Sequence, residues 1–296
     1  MKLWLNAEAA QWSDDPMRIS RRRFFQAAVV AVPGGIGYAA FGEPHWLEVT
    51  HTKISAGKKP LPRPVRIVQL SDFHLSKEVP LSLISRAIRL GVEQKPDVIC
   101  VTGDFITQHL KQEDDFAKEL LRLAKAAPTF ASLGNHDGGQ WAGAIRGLAT
   151  TKEIRDFAAG AGLRVLHNES IVLPVGGTQL RLTGLGDLWS GEFDPDSAFR
   201  NQDAAADVHV VMSHNPDSKD DLKNFNWDLM LCGHTHGGQI ALPLIGGRIF
   251  APVRDSRFIS GRYDWAGRQI FVTRGIGNVY GIRFNCRPEV AVLTLA

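Results

Sequence analysis

Four histidines, two aspartates and an asparagine stand at the ends of five short apolar runs, and side chains of these types hold divalent metals. In chain order the clusters are Asp72-Phe73-His74, Gly103-Asp104, Gly134-Asn135-His136-Asp137, Ser213-His214-Asn215-Pro216 and Gly233-His234-Thr235-His236. Residues two apart in an extended segment point the same way, so Asp72 and His74 can grip one metal together. His234 and His236 repeat the spacing, and Gly233 frees the turn before them. Asp104, after Gly103, has two oxygens with which to bridge two metals. Asn135 adds a neutral carbonyl oxygen and His214 another nitrogen.

The charge of such a site selects its substrate. Two divalent ions bring four positive charges and the two aspartates remove two, while imidazole and amide ligands are neutral. The surplus favours a phosphate ester over a sugar. Two ions about 3.5–4 Å apart can share a hydroxide at neutral pH and stabilise charge on a phosphoryl group. His136, beside Asn135, is the candidate general acid for the leaving alkoxide, with substrate binding as its alternative role. Asp137 is expected to orient it by accepting its second N–H. The mixed nitrogen and oxygen set admits Mn, Fe, Zn, Co or Ni.

The elements that must position these groups are short. From Val65 onward β-branched runs alternate with helical patterns. Strands are expected at 65–70, 97–102, 129–133, 164–175, 179–185, 208–213 and 229–232. Helices are expected at 81–94, 114–126, 151–161, 194–206 and 217–224. After His236 the pattern turns mostly β, with strands near 240–243, 258–263, 269–273 and 290–295 and a hairpin turn at 264–267. This order predicts an α/β fold, a four-layer α/β/β/α sandwich of two mixed sheets, with every cluster at a strand end where ligand sites gather.

Of the other residues, His209 alternates with valines in a strand and reads as a sheet histidine. His45, His51, His109 and His167 lack ligand-spaced partners and read as surface residues, as do Arg254, Arg257 and Arg283. Trp141 and Trp189, in loops, either line the substrate cleft or pack.

The chain has 296 residues and a net charge of +3. Residues 1–64 hold nine Lys/Arg against five Asp/Glu, leaving 25 against 26 for the rest. The body is therefore near neutral, and no nucleic-acid-binding face is evident. Cys100, Cys232 and Cys286 form no ligand or disulfide pattern and read as buried hydrophobes. Ser20-Arg21-Arg22-Arg23-Phe24-Phe25, followed by an apolar stretch to Phe41, reads as a twin-arginine export signal. Residues 1–42 are thus expected to be a signal or anchor for the twin-arginine export machinery, 43–64 a linker, and 65–296 the catalytic domain. This places the protein across the cytoplasmic membrane, periplasmic or membrane-associated, with the leader either cleaved or kept as a tether.

The five clusters resemble the calcineurin-like metallophosphoesterase family, whose pattern is Asp-x-His, Gly-Asp, Gly-Asn-His-Asp/Glu, a lone His and Gly-His-x-His. All five parts occur here in order, over residues 65–296. The resemblance implies one metal held by Asp72, His74, Asp104 and His236, and another by Asp104, Asn135, His214 and His234. Gly-His-Thr-His-Gly-Gly-Gln at 233–239, Arg274-Gly275-Ile276-Gly277 and Pro288-Glu289 resemble the YaeI/YkuE-type phosphodiesterase branch. That branch is related to enzymes that split the pyrophosphate bond of UDP-diacylglucosamine, which makes a lipid-linked phosphate ester one substrate option. The remaining alternatives are a broad phosphomonoesterase and a membrane-associated binding protein with a relic site. The complete ligand set argues against the latter.

Overall fold

The structure is a computed structural model. It describes residues 33–296 except 56, 58–59, 201–204, 243–246 and 249–250, and no side chains over 243–250. The arginine run and the first part of the apolar stretch of the proposed leader, up to residue 32, lie outside the described residues. The chain divides into two compact units, residues 1–37 and Tyr38–Ala296, and all the described strands belong to the second. No helix among the described residues is long and apolar enough to cross a membrane.

The described residues form fourteen strands in chain order: β1 (Glu48–Ile54), β2 (Val65–Leu70), β3 (Val98–Thr102), β4 (Thr129–Ser132), β5 (Arg164–Val165), β6 (Glu169–Val175), β7 (Thr178–Gly184), β8 (Val208–Met212), β9 (Leu229–Cys232), β10 (Ala241–Leu242), β11 (Gly247–Arg248), β12 (Gly261–Trp265), β13 (Arg268–Val272) and β14 (Glu289–Leu295). Two six-stranded sheets result, ordered β1-β14-β2-β3-β4-β5 and β12-β13-β9-β8-β7-β6, beside a small β10–β11 ribbon. Strands β2 to β5 are parallel, as are β7, β8, β9 and β13. Among them β3, β8 and β9, covered on both faces, are buried at every residue and mostly apolar.

Alternate residues divide the core as strand pleating requires. Ile67, Val98, Cys100, Leu180, Val210, Leu231 and Leu293 fill the space between the sheets. Val68, Leu70, Ile99 and Val101 face the other way, against Leu83, Ile84, Ala87 and Ile88 of the helix Leu81–Glu93 and Phe116, Leu120 and Leu123 of the helix Glu113–Ala126. In the first helix Gly91 is buried as well, because its missing side chain lets the helix close on Val68. The second sheet's outer face, with Val211, Met230 and Val272, is covered by Phe199, Leu222, Trp227 and Phe258. Among the described residues of the expected helix 194–206, Pro195–Phe199 are helical, and 217–224 contributes a 3-10 turn at Pro216–Asp220.

Three expectations need correction. Residues 43–64 are not a free linker: β1 lies parallel to β14 in full register from Glu48 with Glu289 to Ile54 with Leu295. Its one-sided, edge-strand alternation hid it among Pro and Lys. The buried Glu43 side chain accepts the N–H groups of Asn285 and Cys286, so this segment is clamped to the body. The single strand expected at 164–175 is two strands in different sheets, divided at Asn168, whose φ is +56°. The hairpin turns at Ala266-Gly267, both with positive φ, but its first strand starts at Gly261 rather than 258.

His209 is confirmed as a sheet histidine, its Nε2 2.7 Å from Thr183 Oγ1. Burial, reinforced by Arg181, lowers its pKa from 6.5 to about 3. The folded state keeps it neutral while the unfolded chain protonates below about 6.5. The contribution is therefore complete above that pH and is lost as pH falls toward 3. Between pH 7 and 4.5, urea unfolding should show the parent losing about 2 kcal/mol more than His209→Gln; equal losses would refute the assignment.

Candidate active site

Every one of the five clusters follows the carboxyl end of a parallel strand: β2, β3, β4, β8 and β9. The loops are stitched together by main-chain bonds, from Asp72 N–H to Gly103 O (2.9 Å), His74 N–H to Asp104 O (2.9 Å) and Gly233 N–H to His214 O (3.0 Å). Gln69 joins the two sheets just beneath, donating to Thr102 Oγ1 and to the Cys232 carbonyl.

The ligand residues are not in extended backbone. Asp72, His74, Asp104, His234 and His236 all have φ between +49° and +70°. Asp72 and His74, expected on one side through strand alternation, do converge, but through left-handed turns that store strain. Glycines make room. A side chain on Gly134 would overlap Asp104 Oδ1, and one on Gly233 would overlap Ser71 Oγ and Asp72 Oδ2.

Potential ligand atoms of Asp72, His74, Asp104 and His236 lie within 4.8 Å of one another. Asp104 sits between this group and the next. Its Oδ2 is 3.2 Å from His74 Nε2 and 3.1 Å from His214 Nε2, and its Oδ1 accepts the His136 N–H. On the far side His234 Nδ1 is 2.8 Å from Asn135 Oδ1. The outer ring nitrogens are tied to carbonyls: His214 Nδ1 to Thr102, His236 Nδ1 to Gly277 and His234 Nε2 to Pro252, at 2.6, 3.1 and 3.0 Å. These contacts fix the tautomers, so His214 and His236 present Nε2 inward and His234 presents Nδ1.

A profile of the calcineurin-like phosphoesterases matches residues 65–238. The chain is 44% identical to phosphodiesterase YaeI of Escherichia coli over 94% of its length and 99% of the relative's. It is 32% identical to the metallophosphoesterase YkuE of Bacillus subtilis, over 94% and 98%. It is also 27% identical to the UDP-2,3-diacylglucosamine pyrophosphatase LpxG of Chlamydia muridarum, over 77% and 83%. The chain belongs to the calcineurin-like phosphoesterase family. It is a metal-dependent phosphoric ester hydrolase.

The side chains fit two divalent ions. Buried Asp72 Oδ2 has no hydrogen-bond partner, and two imidazole Nε2 atoms, of His74 and His236, face each other at 3.2 Å. Facing lone pairs are tolerable when a cation lies between them. Burial lowers the pKa of His74 to about 4 and of His236 to about 3, and also lowers His234, keeping these rings neutral and able to ligate. Burial acts the same way on His214, but the Asp104, Asp72 and Asp187 carboxylates outweigh it and raise its pKa.

Two expected roles change. Asp137 does not orient His136. Its buried carboxylate accepts the N–H groups of Asp104, Phe105, Ile106 and Gly134, locking the Gly103-Asp104 loop to the Gly134–Asp137 loop. Burial and then the Asp104 charge push its carboxyl up to about 8, against the pull of those N–H groups. The acceptor for His136 Nδ1 is the Thr107 carbonyl at 2.7 Å. Arg283, expected at the surface, is fully buried. Trp141 and Trp189 do line the cleft, edge-on to His136 (4.5 Å) and His234 (4.6 Å). Sequence reasoning missed Asp187, a buried carboxylate after β7, because Leu185–Trp189 matches no ligand spacing.

The phosphoesterase should tolerate no side chain at position 233. Gly233→Ala is expected to cost about 1–3 kcal/mol by overpacking and to lower bound metal below two ions per chain by elemental analysis. Full metal content in a folded variant would show that the turn is not what sets the ligand geometry.

Proposed function

We propose that the protein is an exported phosphodiesterase whose substrate carries an apolar substituent. The observation that carries this reading is the lining of the 470 Å³ cleft above the ligands. Its wall is Trp141, Ile145, Trp189, Ala251, Pro252, Val279 and Tyr280, with neutral Thr107, Gln108 and Gln239, and no Lys or Arg among the described lining residues. A phosphomonoester dianion gains from added cations at its free oxygens. A diester has one negative charge and a second organic group, for which this wall supplies apolar contact. The name borne by the Escherichia coli relative agrees. The name borne by LpxG, and an exposed Tyr280 at the cleft mouth, support a lipid-linked phosphate ester as the natural substrate. Export rests on the paired arginines and the apolar stretch that follows them.

The bound ions supply Lewis acidity and an activated water; the chain supplies placement and a proton. The backbone bonds between the strand-end loops hold the ligands before substrate arrives. His136, 6% exposed, lines the cleft with Nδ1 committed to Thr107 O, which leaves Nε2 as the atom able to protonate the leaving alkoxide. The same carbonyl contact fixes the plane of the ring and so keeps Nε2 aimed into the cleft.

Metal-stripped protein resupplied singly with Mn, Fe, Zn, Co or Ni should hydrolyse bis-p-nitrophenyl phosphate faster than p-nitrophenyl phosphate, and Asp104→Ala should hydrolyse neither. Faster monoester turnover would overturn the diester assignment. His136→Ala should keep both metals and lose about 10²–10⁴-fold in kcat on an alkyl ester, with a smaller loss when the leaving group is p-nitrophenolate, which needs no proton. Equal losses on both would assign His136 to substrate binding.

A further inference from the structure

Arg283 is the largest fully buried side chain among the described residues. No carboxylate pairs with it there. Its guanidinium spends itself on main-chain carbonyls: Nη1 on Cys286 (3.1 Å) and His236 (3.5 Å), Nη2 on Arg274 (2.8 Å), Gly275 (3.3 Å) and Gly277 (2.6 Å). Nε has no hydrogen-bond partner. Burying a cation without a counter-charge is costly, and packing alone would be served better by an apolar residue.

One of these carbonyls belongs to the ligand His236, and another, Gly277 O, is the partner of the His236 ring. Gly277 O accepts from Arg283 Nη2 and also from His236 Nδ1, so the arginine fixes the atom that sets the His236 ring. It holds the His236 carbonyl as well and therefore grips this residue at both ends. The 274–277 turn in turn lies on Asp72. Ile276 N–H donates to Ser71 O and Gly277 N–H to Asp72 O, and a side chain on Gly275 would stand 2.7 Å from Asp72 Cβ.

We propose that Arg283 is a positioning residue for one metal only, the ion held by Asp72, His74, Asp104 and His236, because it fixes His236 and the turn over Asp72 through their carbonyls. His214, Asn135 and His234 receive no bond from it. A lysine, with a single ammonium, cannot reach carbonyls on three sides as the planar fork does.

The inference rests on the two-metal reading, and Co(II) titration followed by visible absorption separates the two. The parent should bind two ions; fewer would sink that reading itself. Arg283→Lys should bind one ion like the parent and the other 10–100-fold more weakly, the usual effect of losing a group that orients a ligand. Placed on His236→Ala, the substitution should weaken Co(II) binding no further; placed on His214→Ala, it should weaken the ion that remains by the same 10–100-fold. Methylguanidine should restore the second ion to Arg283→Ala. Equal weakening of both ions, parallel to a fall in Tm, or no change in either, would overturn the proposal. So would failure of both variants to fold with methylguanidine present, which would make the role purely structural.

Discussion

The carboxylate of Asp104 is shared by groups that arrive from both sheets, and the surrounding chain is shaped by the need to place it there. One oxygen faces His74 and His214, the other takes the His136 N–H, and its own N–H is held by Asp137. A residue that meets four neighbours at hydrogen-bond distance leaves no space for side chains around it. Gly103 and Gly134 are glycine for that reason: a side chain on Gly103 would stand 2.5 Å from Gly134 N and one on Gly134 would strike the carboxylate. The left-handed backbone at Asp104 and at four other ligand residues follows from the same crowding. Strain of this kind persists only when the surroundings over-determine it, and here two sheets of buried parallel strand supply that rigidity.

Electrostatics gives the second constraint. Asp72, Asp104, Asp137 and Asp187 are all buried within one strand-end region. The nearby cations of the protein are few: Arg283 faces carbonyls, and His74, His234 and His236 stay neutral. In the metal-free protein the carboxylates recruit a proton onto His214, against its burial. A divalent ion held by these aspartates would neutralise them and compete with that proton, which would couple metal affinity to pH.

The ligand clusters were legible because each is a polar break after an apolar run, and a parallel sheet collects such breaks at one end. What failed to show in the sequence had a common cause: roles set by contacts remote in the chain. Asp137 sits next to His136 and adjacency suggests a pairing, yet most of the N–H groups its carboxylate accepts lie 31–33 residues away at 104–106. Arg283 looked like any solvated arginine because its partners are carbonyls, which carry no residue signature. Strand β1 escaped notice because an edge strand with one buried face, flanked by Pro and Lys, has the composition of a connector. The break at Asn168 was invisible because both halves of 164–175 are strand-like; only the sheet to which each half pairs differs.

Trp141 and Trp189 link recognition to chemistry. Each ring packs edge-on against a histidine of the site, and the two rings lie 6.0 Å apart, so together they span the cleft from His136 to His234. Edge-to-face contacts of this kind are worth about 0.5–1.5 kcal/mol beyond area, enough to bias a ring's orientation. A substrate group resting on the tryptophans therefore presses on the rings that fix a ligand histidine and the histidine next to Asn135. The apolar wall is in this way a selector for the substrate and a part of the scaffold that aims the polar groups, and substitutions in it should not separate cleanly into binding and rate effects.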